Sequence, residues 1–362
     1  MGIDNNLIGE DITPDASPLL ESNRSLGYSI EEAVSDLIDN SITAGANQID
    51  INLKWNDGSP TFFLYDNGSG MNHEKLINSF RLGSTNPLED RPTNDLGRFG
   101  FGMKTASLSQ SRILTVITKK RDHNIIGRIL DLGFIEQIKT WNLRKCKLEN
   151  YKNEKEYLNK NGQGTVIIWE QWDRVSNNED DFNSLFKIIE NYISICFHRF
   201  FENKTLSVYC NDFKIPPVSP IPLKSEEKSS IVLSKNNKTK QRAYLLQHPK
   251  FWQDDYTNSR IFNSHSLFNG FEGQQGIYIY RCNRLLTPKG GWLGVIKQSN
   301  ASKLARVVID YPNDADQLWS LDITKTNASI PFEFKKEIIK LINIIKTSSI
   351  LKIIRGTKIN ER

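Results

Sequence analysis

Apolar and polar positions change period several times along this chain, and the changes mark its elements. Ile30, Ala33, Val34, Leu37, Ile38 and Ser41 recur at helical spacing and predict one buried stripe on a helix. Ser29 and Glu32 bracket the start of that helix as a capping box. The serine hydroxyl serves a free amide of the first turn, and the glutamate reaches back. Thr61 to Tyr65 is a β-rich run that ends in the turn-forming Asp66-Asn67-Gly68-Ser69-Gly70-Met71. A polar stretch at 83–95 leads to a glycine-rich segment and another helix start. Gly164-Thr165 opens a strand that runs to Trp169. A polar hinge at 177–181 precedes a helical stretch carrying Leu185, Ile188, Ile189, Tyr192 and Ile193. Strands resume near Thr205. The proline-rich 215–222 and the lysine-rich 225–242 read as loop or edge strand. Strand patterns return at 276–280 and 305–311, and a final helix is expected from about Phe332.

Composition narrows the class. A chain of 362 residues with 25% charged and 38% hydrophobic residues is that of an ordinary soluble protein, long enough for two domains. No run of about 18 apolar residues occurs, so no membrane span is expected. The most apolar stretch, 338–354, is broken by Lys340, Lys346 and Lys352. The polar, acidic N-terminus is unlike a signal peptide, which points to a cytoplasmic protein. The four cysteines, Cys146, Cys196, Cys210 and Cys282, have no C-x-x-C spacing. They read as reduced thiols, not as a disulfide framework or a zinc site. A net charge of +5 permits contact with nucleic acid without requiring it.

Four segments carry candidate chemistry. Asp36 and Asn40 lie one helical turn apart and are expected to project to the same place. A carboxylate beside a carboxamide suits a partly hydrated magnesium ion and a water needing deprotonation, though the same pair also serves as a solvated helix face. Asp66 ends a strand and is followed by Gly68, Gly70 and Met71. Its carboxylate can accept from the amino group of a flat ligand that approaches the glycine backbone closely, or the sequence is an ordinary turn. Gly97, Gly100, Phe101, Gly102, Met103, Lys104 and Thr105 precede or open a helix. Their amides and the lysine can meet phosphate oxygens, or the segment is a surface loop. Neither a Walker A sequence nor the protein-kinase set is present. Gly164-Thr165 is uninformative alone.

Together, in this order and spacing, Asp36-Leu-Ile-Asp-Asn40-Ser-Ile-Thr-Ala-Gly-Ala46, Asp66-x-Gly68-x-Gly70, Gly97-x-x-Gly100-x-Gly102-x-Lys104 and Gly164-Thr165 resemble the four ATP-site motifs of the GHKL superfamily. That group includes type II topoisomerases, ninety-kilodalton heat-shock chaperones, histidine kinases, MutL proteins and MORC proteins. DNSITAGA and LGRFGFGMKTASLSQ are most similar to MORC and to stand-alone bacterial MORC-like ATPases. The resemblance implies that Asp36 activates water, Asn40 ligates magnesium, and Asp66 binds the adenine amino group with Thr165 supporting it through water. Gly100, Phe101, Gly102 and Lys104 would belong to a lid over the phosphates. The topoisomerase, MutL and MORC motif has glutamate where this chain has Asp36. The shorter side chain implies slow hydrolysis.

The resemblance continues into the second half. The strand and loop at 276–286 and 290–294, with Arg281 and Arg284, look like part of a transducer domain. The segment 319–325 resembles the one that delivers a basic residue, here Lys325, to the γ-phosphate. The implied architecture is α/β: a Bergerat-fold α/β sandwich ATPase domain followed by a transducer-like α/β domain. Its expected parts are an N-terminal arm (1–28), the ATP-binding domain (29–175), a connecting helix (176–204) and the transducer-like domain with a C-terminal helix (205–362). The implied activity is that of an ATP- and magnesium-dependent homodimeric clamp in a DNA-directed defence or repair complex, DNA and effector proteins being possible partners. A chaperone-like ATPase acting on protein is the second class. A histidine protein kinase is the third, and it lacks a phosphoacceptor histidine on a helical hairpin ahead of Asp36.

Overall fold

The computed structural model describes residues 13–25, 27–82, 96, 102–174, 178–222, 225–232, 239–248, 270–319 and 330–358. They form two α/β units, each on its own sheet. The strands of the first unit are β1 (Gln48–Lys54), β2 (Thr61–Asp66), β3 (Ile113–Lys119), β4 (Ile126–Asp131), β5 (Arg144–Lys145), β6 (Gly164–Glu170), β7 (Ser207–Cys210) and β8 (Phe213–Lys214). They pair in the order β5-β4-β3-β6-β2-β1-β7-β8, antiparallel except where β1 runs parallel to β7.

Helices cover one face of this sheet: α1 (Ala16–Arg24), α2 (Ile30–Thr43), α3 (His73–Phe80), α4 (Gly102–Gln110), α5 (Leu132–Ile138) and α7 (Glu179–Cys196). The predicted stripe of α2 is buried throughout. The capping box is present, with the Ser29 amide 3.1 Å from Glu32 Oε2 and the Glu32 amide 3.4 Å from Ser29 Oγ. Phe62, Leu64 and Asp66 alternate inward along β2 toward these helices. This two-residue period puts a carboxylate at the edge of an apolar core. The opposite face carries a smaller cluster, Ile117, Leu158, Val166 and Ile168, under α6 (Lys152–Asn161).

The second unit is a five-stranded sheet of order β12-β11-β13-β10-β9, formed by β9 (Glu226–Val232), β10 (Lys240–Leu245), β11 (Gly276–Arg281), β12 (Arg284–Leu285) and β13 (Ala305–Tyr311). Alternation again assigns the faces. Ile277 and Ile279 pack with the long helix Phe332–Lys358, whereas Tyr278 and Tyr280 join the core of the first unit. At that junction α8 (His198–Glu202) brings His198 Nε2 to 2.9 Å from the Tyr280 hydroxyl. Arg199 lies over the Tyr280 ring at 3.4 Å and pairs with Asp310.

Two segments differ from expectation. Residues 16–24, read as loose arm, are a helix that buries Ala16 and Leu20 and packs on α4 and α5. Strands β7 and β8, expected to open the second domain at 205, instead extend the first sheet. The reason is the parallel pairing of β7 with β1, a non-local contact with no local signature. None of the four cysteines is in a disulfide. Among the described residues, no helix is long and apolar enough to cross a membrane.

Candidate functional site

The site is built around Asp66. At the end of β2 its carboxylate is buried beside α2, where Ser41 donates from 3.1 Å to one oxygen and the Gly68 amide from 2.8 Å to the other. Burial pushes the Asp66 carboxyl up to about 6, and the hydrogen bonds from Gly68, Ser41 and the Thr165 main chain oppose it. Thr165 is the cross-strand partner of Asp66 in the β2–β6 ladder. Its hydroxyl lies 3.2 Å from that of Thr118, which also accepts from the Met71 amide at 3.0 Å. Thus Asp66, Gly68, Met71 and Thr165 form one connected cluster.

The glycines of this turn have a reason that the sequence did not disclose. A β-carbon at Gly68 would lie 2.9 Å from the Ala44 Cβ. At Gly70, where φ is +61°, it would lie 1.9 Å from the Lys119 carbonyl oxygen. The Ala44 methyl and the Lys119 main chain make these close approaches. Packing alone requires glycine at both positions.

Asp36 and Asn40 occupy different environments on α2. Asn40 is exposed, while Asp36 is buried and accepts from the Tyr28 hydroxyl at 3.0 Å. The start of α4 closes over Asp36: a β-carbon at Gly102 would sit 3.3 Å from its Oδ2. Glu32 is engaged in the cap. Lys104 is buried, and its Nζ donates to the Ser79 carbonyl at 2.9 Å. Burial pulls its pKa down to about 8. Thr105 is buried and Met103 half-buried on the same helix. Gly97, Gly100, Phe101 and Lys325 lie outside the described residues.

Among the described residues no three His, Cys, Asp or Glu side chains converge on a metal position. Asn40 offers an exposed hard oxygen one turn along this helix from the buried Asp36. Magnesium commonly takes one or two protein oxygens and fills its shell with phosphate and water. The donor set therefore fits magnesium that arrives with a nucleotide, not a metal held by protein alone.

Sequence reasoning missed Tyr28, Thr118 and the partnership of Ser41 with Asp66. Only Ser41 left a signal, as the one polar member of an apolar stripe.

Comparison with known proteins agrees with this arrangement. Residues 28–165 match the family of histidine kinase-, DNA gyrase B- and HSP90-like ATPases. A stretch of 91 residues is 36% identical to the putative MutL protein homolog 1 of Schizosaccharomyces pombe. It covers 25% of this chain and only 13% of that protein's length. An ATP-binding domain of the GHKL, Bergerat-fold type is present, followed by a second α/β unit.

Proposed function

We propose that the chain is a slow, magnesium-dependent ATPase that uses ATP to close a homodimeric clamp within a DNA-directed defence or repair complex. One observation carries the nucleotide part: Asp66, a buried carboxylate at a strand end, held in place by Ser41 and Gly68. Such a group is a ready acceptor for the adenine amino group. Asn40 provides the protein oxygen for magnesium, which neutralises phosphate charge when bound with ATP. Asp36, oriented by the Tyr28 hydroxyl, takes the proton of the attacking water. Aspartate reaches less far than glutamate, so turnover is low. Lys104 and Lys325 stabilise the charge that develops on the transferred phosphoryl group.

Dimer closure and the DNA-directed, MORC-like role rest on motif likeness and on the basic residues of the last helix, among them Lys335, Lys336, Lys340, Lys346, Lys352 and Arg355.

Turnover of Asp36→Asn tests the chemical step. This variant keeps the shape and hydrogen-bonding capacity of the site and should bind ATP like the wild type. Its turnover should fall about 10²–10⁴-fold, the usual contribution of a positioned base. Wild-type turnover in Asp36→Asn would remove Asp36 from that role.

A further inference from the structure

On α2, Asp39 stands between Asp36 and Asn40, and it is wholly buried. Its carboxylate meets the second unit. There Arg284, on the two-residue strand β12, donates its Nε to Asp39 Oδ1 at 2.9 Å. The guanidinium is also buried and lies 5.5 Å from the Phe197 ring. Burial disfavours its cation, but Asp39 foremost and then more distant neighbours, Asp36 among them, hold it charged.

The same hairpin reaches α2 a second way. Arg281, fixed by two 2.7 Å bonds to Asp316, donates to the Leu96 carbonyl at 3.0 Å. The Leu96 amide lies 3.4 Å from the hydroxyl of Thr43, the last residue of α2. The β11–β12 hairpin therefore holds the last turn of α2, at Asp39 through Arg284 and at Thr43 through Arg281 and Leu96.

A buried ion pair is a poor source of net stability. Replacing such a pair with apolar residues is often neutral. What it supplies is direction, because it is satisfied only in one geometry. We infer that Arg284 is a positioning residue of the ATP site: through Asp39 it fixes the rotation and height of the helix that carries Asp36 and Asn40. It acts through its bond to Asp39 on α2. The inference rests on the ATPase reading above and extends it, since it ties catalytic competence to docking of the second unit.

Steady-state turnover and thermal denaturation of Asp39→Asn, Arg284→Met, Arg284→Lys and the double variant Asp39→Leu/Arg284→Met test this. Per folded molecule, kcat should fall about five- to hundredfold in each neutralised variant, the span usual for coupled sites. KM for ATP should change less. The double variant should be no slower than the slower single, because one interaction was removed once. Arg284→Lys should recover part of the loss. If the singles fail to fold, the double variant, with no buried charge left unpaired, carries the test. Wild-type kcat per folded molecule in the double variant, or losses that merely add, would overturn the inference. Absence of ATP binding in the wild-type chain would instead overturn the ATPase reading.

Discussion

At the scale of single residues, Asp66 sets stability against function. Its carboxyl titrates near 6 in the folded chain, against 3.8 as the ordinary value. Between those values the folded state binds more protons than the unfolded state, so the contribution of Asp66 falls as pH rises. Above about pH 6 it is a constant cost of roughly 1–3 kcal/mol. Asp66→Asn keeps the shape and removes that cost. Urea denaturation without nucleotide should find Asp66→Asn more stable than wild type at pH 7, with the difference vanishing toward pH 4. Equal stability at pH 7 would mean that the carboxylate is not destabilised by its burial. ATP affinity should fall in the same variant. The sequence singled out Asp66 and Asp36 as candidates but not their surroundings. Asp36 and Asn40 were expected to project together, yet α4 and Tyr28 bury the first and leave the second exposed. That division is set by what packs on α2, and helical spacing does not record it.

At the scale of elements, local signals were legible and long-range pairings were not. The capping box, the apolar stripe of α2 and the inward alternation of β2 follow from spacings of a few residues. The helix from Phe332 also begins where its pattern placed it. By contrast, the assignment of β7 and β8 to the first sheet depends on a parallel partner about 160 positions away along the chain. The covering of the back of the sheet by α6 has no motif behind it either. The cap gives a direct check on the site-bearing helix. Ser29→Ala should cost about 0.5–2 kcal/mol, whereas Ser29→Gly should cost only a few tenths. Denaturant midpoints of the two variants measure this. A Ser29→Ala midpoint equal to wild type would mean that Ser29 contributes nothing to holding α2.

At the scale of the whole molecule, the nucleotide cluster and the second unit share α2, so a change in one reaches the other through a rigid helix. The proposed clamp requires ATP to favour the closed form, which it can do only by binding that form more tightly. Light scattering should therefore report a mass near twice the 41.5 kDa of one chain when a non-hydrolysable ATP analogue and magnesium saturate the protein. An unchanged mass at saturation would remove the clamp and leave the nucleotide site standing. Calorimetric titration of the wild-type chain with non-hydrolysable ATP and GTP analogues decides whether Asp66 reads adenine. Guanine presents a carbonyl where adenine presents its amino group, and a buried carboxylate cannot pair with it. Loss of a charge-assisted hydrogen bond worth about 1.5–3 kcal/mol predicts at least about tenfold weaker binding of the GTP analogue. Equal affinity for the two analogues, or no binding of either, would mean that Asp66 does not read adenine.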